Sequence, residues 1–389
     1  MKWNQQKIKI KNKQKILHTV INQAPISRAD LATQLGLTKG TVSTLVGELI
    51  EEKICLESGP GESSGGRRPV ILLFNEKAGY SVGIDLGVNY ILGILTDLKG
   101  QIIQEQKEEM DTRNEDECVE AIINMIHSLI SSAPQSPYGI VGIGIGIPGI
   151  LNKEETIILA PNLGWENSNI KDRIQEAFQV PVLLENEANA GAYGEKKYGA
   201  GKNYTNVVYV SAGVGIGGGI IFDNELYRGS RGFSGEIGHM TIELNGKPCR
   251  CGNNGCWELY ASEKALLNQA QAILGANEKV NLDYLVKIAE ENEQIKHVFT
   301  TLGKYLGIGI LNIINTFNPE EVIIGNQLAS AKKWLIGPIN DYIETHNIKF
   351  DEGHIKITFA ELGFHSAARG VSAQTIDHFL KSREQIALV

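Results

Sequence analysis

The stretch Tyr80–Met110, YSVGIDLGVNYILGILTDLKGQIIQEQKEEM, decides how the rest of the chain is read. Breaks at Gly87–Asn89 and Lys99–Gly100 divide it into three short apolar strands joined by tight turns. A helix over 118–131, a strand over 139–147 (GIVGIGIGI) and a Pro148–Gly149 turn follow. A second strand-turn-strand, NVVYVSAGVGIGGGIIFDNELY, begins near Asn206 and weakly echoes the first. Strands mixed with helices in two similar units predict an α/β body of two lobes with a cleft between them.

Beyond the second unit, 262–315 reads as mainly helical, with Gly303, Gly307 and Gly309 permitting close packing. A strand over 354–360 and the segment FHSAARGVSAQTIDHFLKS, a final helix returning to the first lobe, complete the body.

The net charge of −8 hides an asymmetry. Residues 1–77 carry nine Lys and three Arg against seven acids, net +5, which leaves 25 basic and 38 acidic groups on 78–389. A basic head on an acidic body means that only the head suits a polyanion. The N-terminus MKWNQQKIKIKNKQK is polar, and no apolar run approaches the ~18–20 residues that span a bilayer. A cytoplasmic protein without membrane contact is the expectation.

Within the head, Ile16/Val20 and Leu17/Ile21 recur at i, i+4 and mark a first helix. Ser27 and Asp30 form S-x-x-D, a capping-box start for a short second helix that Gly36 ends. Thr38 can cap a third, whose buried stripe is Val42, Leu45, Val46 and Leu49, and whose opposite face is Gly40, Ser43, Thr44 and Gly47. Two helices joined by a turn containing glycine form the helix-turn-helix pattern, although any small three-helix bundle shares it. ICLESGPGESSGGRRPVILLF then reads as strand, Gly/Ser-rich turn, strand, a basic wing bearing Arg67 and Arg68. The DNA-contacting residues expected are Arg28, Lys39, Gly40, Thr41, Ser43, Thr44, Arg67 and Arg68.

Three of the five cysteines crowd into GEIGHMTIELNGKPCRCGNNGCWE, 235–258. Cys249, Cys251 and Cys256 with His239 supply three thiolates and an imidazole, which fill a zinc tetrahedron and leave no position for an activated water. The expected zinc is therefore structural; reduced core cysteines or a disulfide are the alternatives. Cys55 and Cys118 are isolated and read as small buried or half-buried side chains.

The motifs GIDLG, GIGIPG, APNLGW, ENEANAGAYGE, SAGVGIGGGI, GEIGHM and CRCGNNGCWE together resemble the ROK family of repressors, open reading frames and kinases. The resemblance implies lobes of actin/hexokinase-like, ribonuclease-H topology and a structural zinc. It also implies a sugar held by Asn186, Glu187, Glu236, His239 and Glu258. Three carboxylates and an imidazole suit a polyol, because each accepts from or donates to adjacent hydroxyls. The kinase elements are altered. The first phosphate hairpin reads Asp85-Leu86-Gly87-Val88-Asn89 where the family has D-x-G-G-T, and the second has Val214 in place of threonine. Asn326 replaces a glycine, and the family's catalytic Asp of E-N-D is Glu187. Misplacing a base by about 1 Å can cost ~100-fold in rate, so the chain is not expected to be an enzyme.

With the head in front, the chain resembles the family's sugar-responsive repressors, and the run from Ser63 to Asp97 is most similar to those responding to xylose in Bacillus-type bacteria. The resemblance implies a homodimer on palindromic double-stranded operator DNA, released by D-xylose. A ROK sugar kinase with an appended DNA-binding module is the alternative. The expected domains are a winged helix-turn-helix over 1–77, a first lobe over 78–187 completed by a helix at about 365–389, and a second lobe over 188–364 with the zinc motif and dimer surface.

Overall fold

The computed structural model describes residues 2–60, 70–276, 278, 280–346 and 355–385. Arg67 and Arg68, and the last four residues of the expected final helix, lie outside the described residues.

The head is three helices, Lys2–Gln23, Arg28–Leu35 and Lys39–Glu51, with a small sheet. Its local chemistry is as the sequence predicts. Ser27 Oγ accepts from Asp30 N and the Asp30 carboxylate accepts from Ser27 N, closing the capping box. Gly36 ends the second helix at φ +63°, a left-handed conformation that favours glycine. Thr38 Oγ1 accepts from Thr41 N to start the third. Strands Cys55–Pro60 and Val70–Phe74 pair antiparallel, and Ile26–Ser27 adds to the far edge of the latter, as in a winged helix.

Two five-stranded sheets follow. The first runs, edge to edge, Val182–Asn186, Ile140–Ile147, Tyr80–Leu86, Tyr90–Asp97, Ile102–Glu109. The second runs Lys356–Phe359, Glu321–Gly325, Val207–Ala212, Ile216–Phe222, Glu225–Leu226. Both follow one plan: the first three strands in the chain form an antiparallel meander, and two later strands add in parallel beside the first. One expectation needs correcting. Ile102–Glu109 is not an apolar strand: it is the outer edge, largely exposed, and its charges protect that edge from pairing with another chain. A three-stranded antiparallel sheet, Ile150–Leu151, Ile157–Ala160 and Trp165–Ser168, extends the first lobe beside the cleft.

The second lobe's core centres on the helix Glu293–Phe317, whose Ile295, Phe299, Leu302, Leu306, Ile310 and Ile313 are fully buried. Its length and composition alone would permit a membrane crossing, but its apolar face is spent inside this core. The three glycines act as the sequence suggests. A Cβ on Gly303, Gly307 or Gly309 would lie 2.8, 2.9 or 2.0 Å from Pro338, Tyr342 or Trp257.

The final helix, Ser366–Gln385, returns to the first lobe. Thr375 and Ser372 share hydrogen bonds with Ser81 and Thr96 at 2.5 and 2.6 Å. A Cβ on Gly83 would lie 2.2 Å from Ala368 O, so the helix rests directly on the strand. Further along, Ile376, Phe379 and Leu380 enter the same hydrophobic cluster as Ile16, Leu17 and Val20 of the head. Tyr138 packs edge-on against Phe379 and donates its hydroxyl to Glu52 O. One helix thus touches the body at one end and the head at the other.

Candidate functional site

Between the two sheets lies a cleft of about 880 Å³, lined from one side by Asp85, Tyr90, Pro161, Asn162 and Glu187 and from the other by the Gly213–Gly217 hairpin, Glu236, His239 and Glu258. All five residues expected to hold a sugar are among those that line it.

Asn186 and Glu187 sit where strand Val182–Asn186 passes into helix Glu187–Tyr198. Asn186 is the N-cap: its Oδ1 accepts from Ala188 N and Asn189 N, and its Nδ2 donates to Gly149 O at 2.9 Å. The side chain is therefore fixed by structural bonds, with one amide hydrogen left for a ligand. Glu187 accepts from Ser211 Oγ at 3.2 Å. Burial first, and then the Asp85 carboxylate, push its carboxyl up to about 7. Asp85 is likewise raised by burial to about 6, although the Tyr90 hydroxyl donates to it at 2.8 Å. Asp85 is a site residue that the sequence reading assigns only to the phosphate hairpin. The signal that could have found it is the reversal at Gly87, where a Cβ would lie 2.2 Å from the Tyr90 ring and which brings that ring back onto Asp85.

Glu236 precedes and His239 ends a single 3-10 turn, Ile237–His239, pressed against strand Ile216–Phe222. A Cβ on Gly235 would lie 1.9 Å from Gly218 O and one on Gly238 2.1 Å from Ile216 O, which explains both glycines of G-E-x-G-H. Burial raises the Glu236 carboxyl.

His239, Cys249, Cys251 and Cys256 converge, with one ligand atom from each lying within 4.8 Å of all the others. Cys251 Sγ–Cys256 Sγ and Cys249 Sγ–His239 Nδ1 are both 3.7 Å. A tetrahedron with arms of about 2.3 Å has edges of about 3.8 Å, so the residues present fit a tetrahedral metal ion. The imidazole turns Nδ1 toward the thiols and leaves Nε2 3.9 Å from Glu236. Glu258, nearly buried, accepts from Cys249 Sγ at 3.4 Å and lines the cleft with the same carboxylate. The knuckle is shaped by glycine: Gly252 and Gly255 have φ of +91° and +69°, and a Cβ on Gly255 would lie 1.8 Å from Glu243 O. Trp257, fully buried on Gly309, donates to Tyr305 O and anchors the loop to the core helix. The other two cysteines, Cys55 and Cys118, are buried and free.

Two further contacts of the cleft come from the structure alone. Arg250, between two of the thiols, donates across to Asn162 Oδ1 of the opposite lobe at 2.6 Å. Asn326 adopts φ +62°, a glycine-like conformation, and donates to Ser211 Oγ at 2.9 Å while its side chain packs against Gly213. The sequence marks Asn326 as a replaced glycine, but neither bond's partner is legible there, because each joins segments far apart in the chain.

On the head, Lys39, Gly40, Ser43 and Thr44 are exposed on one face of the third helix and Thr41 is half-exposed. A Cβ on Gly47 would meet nothing within 4 Å, so no contact among the described residues accounts for that glycine. The Thr41 and Thr44 hydroxyls are engaged locally, with Thr38 Oγ1 and Gly40 O. Arg28 pairs with Glu57 of the wing strand at 2.7 Å, so it braces the wing against the second helix.

Residues 81–377 match the ROK family and residues 11–54 match a winged helix-turn-helix DNA-binding family. The chain is 46% identical over 374 residues to the xylose repressor of Bacillus subtilis, covering 96% of this chain and 97% of that protein. It is 31% identical over 299 residues to a glucokinase of Streptomyces coelicolor, covering 68% of this chain and 92% of the glucokinase. Among solved structures, a ROK family transcriptional regulator, a homologue of the Escherichia coli MLC protein, superimposes with a TM-score of 0.82 at 26% identity, covering 98% of this chain and 99% of that one. The chain belongs to the ROK family. Its match to the repressors runs through the head, whereas the glucokinase match spans about two thirds of the chain.

Proposed function

We propose that this protein is a sugar-responsive transcriptional repressor of the cytoplasm, a homodimer on a palindromic operator that D-xylose releases. The observation that carries the reading is the final helix. Its first half rests on the first lobe's sheet and its far end is part of the head's hydrophobic core, which gives a rearrangement of that lobe a route to the DNA-reading surface. The 46% identity to a xylose repressor over nearly the whole chain supports both the repressor role and the sugar.

The working division is a head of 1–77, a first lobe of 78–187 with the final helix, and a second lobe of 188–364. In the cleft, Glu187, Glu236 and Glu258 accept from sugar hydroxyls, while Asn186 Nδ2 and His239 Nε2 serve as the remaining polar partners. Zinc, held by His239 Nδ1, Cys249, Cys251 and Cys256, supplies a rigid tetrahedral anchor that fixes the imidazole and Glu258 in register with the sugar. On the head, Lys39, Gly40, Thr41, Ser43 and Thr44 seat the third helix in the major groove, with Arg67 and Arg68 on the wing and Arg28 setting its position.

Sugar closes the cleft, and closure moves the two heads of the dimer away from the spacing of about one helical turn that two half-sites demand. For this to release DNA, the sugar binds the DNA-incompetent state more tightly than the competent one. Kinase chemistry is not part of the reading. The cleft's described lining holds eight carboxylates against one guanidinium, a poor seat for a triphosphate, and Asn326 fills space beside the second hairpin.

The test is retention of sheared genomic DNA by the purified protein with and without D-xylose, followed by sequencing. A palindromic site lost on adding D-xylose is the expected result. Retention indifferent to D-xylose would refute the effector, and ATP turnover on a sugar panel with no enriched site would refute the repressor.

A further inference from the structure

The chain passes from the first sheet to the second through 187–206 and returns through 360–366, and one carboxylate holds both crossings. Glu195 is fully buried near the end of helix Glu187–Tyr198. Its Oε2 accepts from Ala200 N at 2.9 Å in the outward crossing and from Glu361 N at 3.2 Å in the return. Its Oε1 accepts from Leu362 N at 3.0 Å and Ser366 Oγ at 2.8 Å, where the final helix begins. Four donors from two segments some 160 residues apart in sequence thus meet on one side chain.

The backbone is built to let this happen. A Cβ on Gly199 would lie 2.0 Å from Glu195 Oε2, and one on Gly194 2.2 Å from Ser366 O. On the final helix, a Cβ on Gly370 would lie 1.7 Å from Ala190 O. The two helices therefore cross in backbone contact at the point where Glu195 ties their ends, and no side chain separates them. The first of these helices starts at Glu187 in the cleft; the second ends in the head's core. A buried carboxylate left without donors costs several kcal/mol, so the four bonds together hold the two crossings against it.

We propose that Glu195 is the positioning residue that couples cleft closure to the DNA-binding head, by forcing the two crossings between the lobes to move as one body with the start of the final helix. It touches neither sugar nor DNA. The inference rests on the reading of the cleft as the effector site, and names the residue through which occupancy of that site is felt at the head. Without Glu195, the lobes close and the final helix does not follow.

The experiment compares Glu195→Gln and Ser366→Ala with the wild type in the full chain. Gln keeps one acceptor oxygen but presents an NH2 to two donors; Ala removes one donor and leaves three. Three quantities are read: D-xylose affinity by calorimetry, sugar-free affinity for a duplex that the wild type selects from a randomised pool, and the factor by which saturating D-xylose weakens that DNA binding. Coupling between sites typically spans ~5–150-fold. The expected result is that both affinities stay within about 3-fold while the release factor falls about 10-fold in Glu195→Gln and about 3-fold in Ser366→Ala. An unchanged release factor, or affinities that fall as far as it does, overturns the proposal; if the Gln variant does not fold, Ser366→Ala decides. Should D-xylose fail to weaken DNA binding by the wild type, the effector reading fails and hydrogen exchange of ligand-free Ser366→Ala decides the coupling. Exchange must then quicken at Ala200, Glu361 and Leu362 together with 376–380, and quickening confined to one crossing overturns it.

Discussion

Replacing Glu187 by Gln should make the ligand-free protein more stable at alkaline pH and leave it nearly unchanged in acid. The carboxyl is moved from 4.5 to about 7, by burial first and by the Asp85 charge second. The native state therefore holds this proton more tightly than the unfolded chain does. Wild-type stability is penalised as pH rises from 4.5 to about 7, and the full cost is present above that range. At about 1.36 kcal/mol per pH unit the cost approaches roughly 3 kcal/mol. Gln keeps an acceptor for Ser211 Oγ and carries no charge, so the variant escapes the penalty and also relieves Asp85. A shift of 2–4 °C in Tm per kcal/mol predicts a lead on the order of 6 °C for the variant at pH 8, vanishing near pH 4.5. Parallel thermal melts of both proteins at half-unit pH steps measure it. A difference that is flat with pH, or a wild type that melts higher at pH 8, would refute the account of the cleft as a site that holds carboxyls against their charge.

The remaining predictions address the metal, the helix crossing and the mouth of the cleft. Cys256→Ser should abolish stoichiometric zinc by elemental analysis and weaken D-xylose binding at least about 10-fold by calorimetry, with sugar-free DNA affinity kept within a few-fold; full sugar affinity without zinc would contradict the anchoring role. Gly370→Ala places a methyl 1.7 Å from Ala190 O and should lower Tm by several degrees, an overpacking cost of about 1–3 kcal/mol; an unchanged melt would mean that the helices do not touch there. Arg250→Ala and Asn162→Ala should each weaken sugar binding about 3-fold, and the double variant no more than either alone, since both remove one bond across the cleft. Additive losses in that cycle would show that the bond has no part in closure.

Much of the head was legible because its signals are local. Ser27, Asp30, Gly36 and Thr38 cap helices within four residues of their partners, and the buried stripe of the third helix follows from the helical period alone. The metal cluster was legible for a related reason. Thiols and imidazoles are scarce, so their convergence within 20 residues of sequence leaves few other uses for them. The edge strand Ile102–Glu109 reads as apolar from its two leading isoleucines, and its place at the rim of the sheet leaves all but Ile102 and Gln106 exposed.

By itself, then, the sequence determined the elements, their caps, the doubled strand plan, the charge division between head and body, and the residue types gathered around the cleft. All of these are written in patterns a few residues long, where chain connectivity does the positioning. The tertiary structure alone decided that Asp85 faces Glu187, that Arg250 reaches Asn162, that Arg28 is occupied by Glu57, and that Glu195 holds both crossings between the lobes. Each of these is a bond or a charge pair between segments distant in the chain. Its energy depends on burial and on angles set by packed helices, and no local period in the sequence records either.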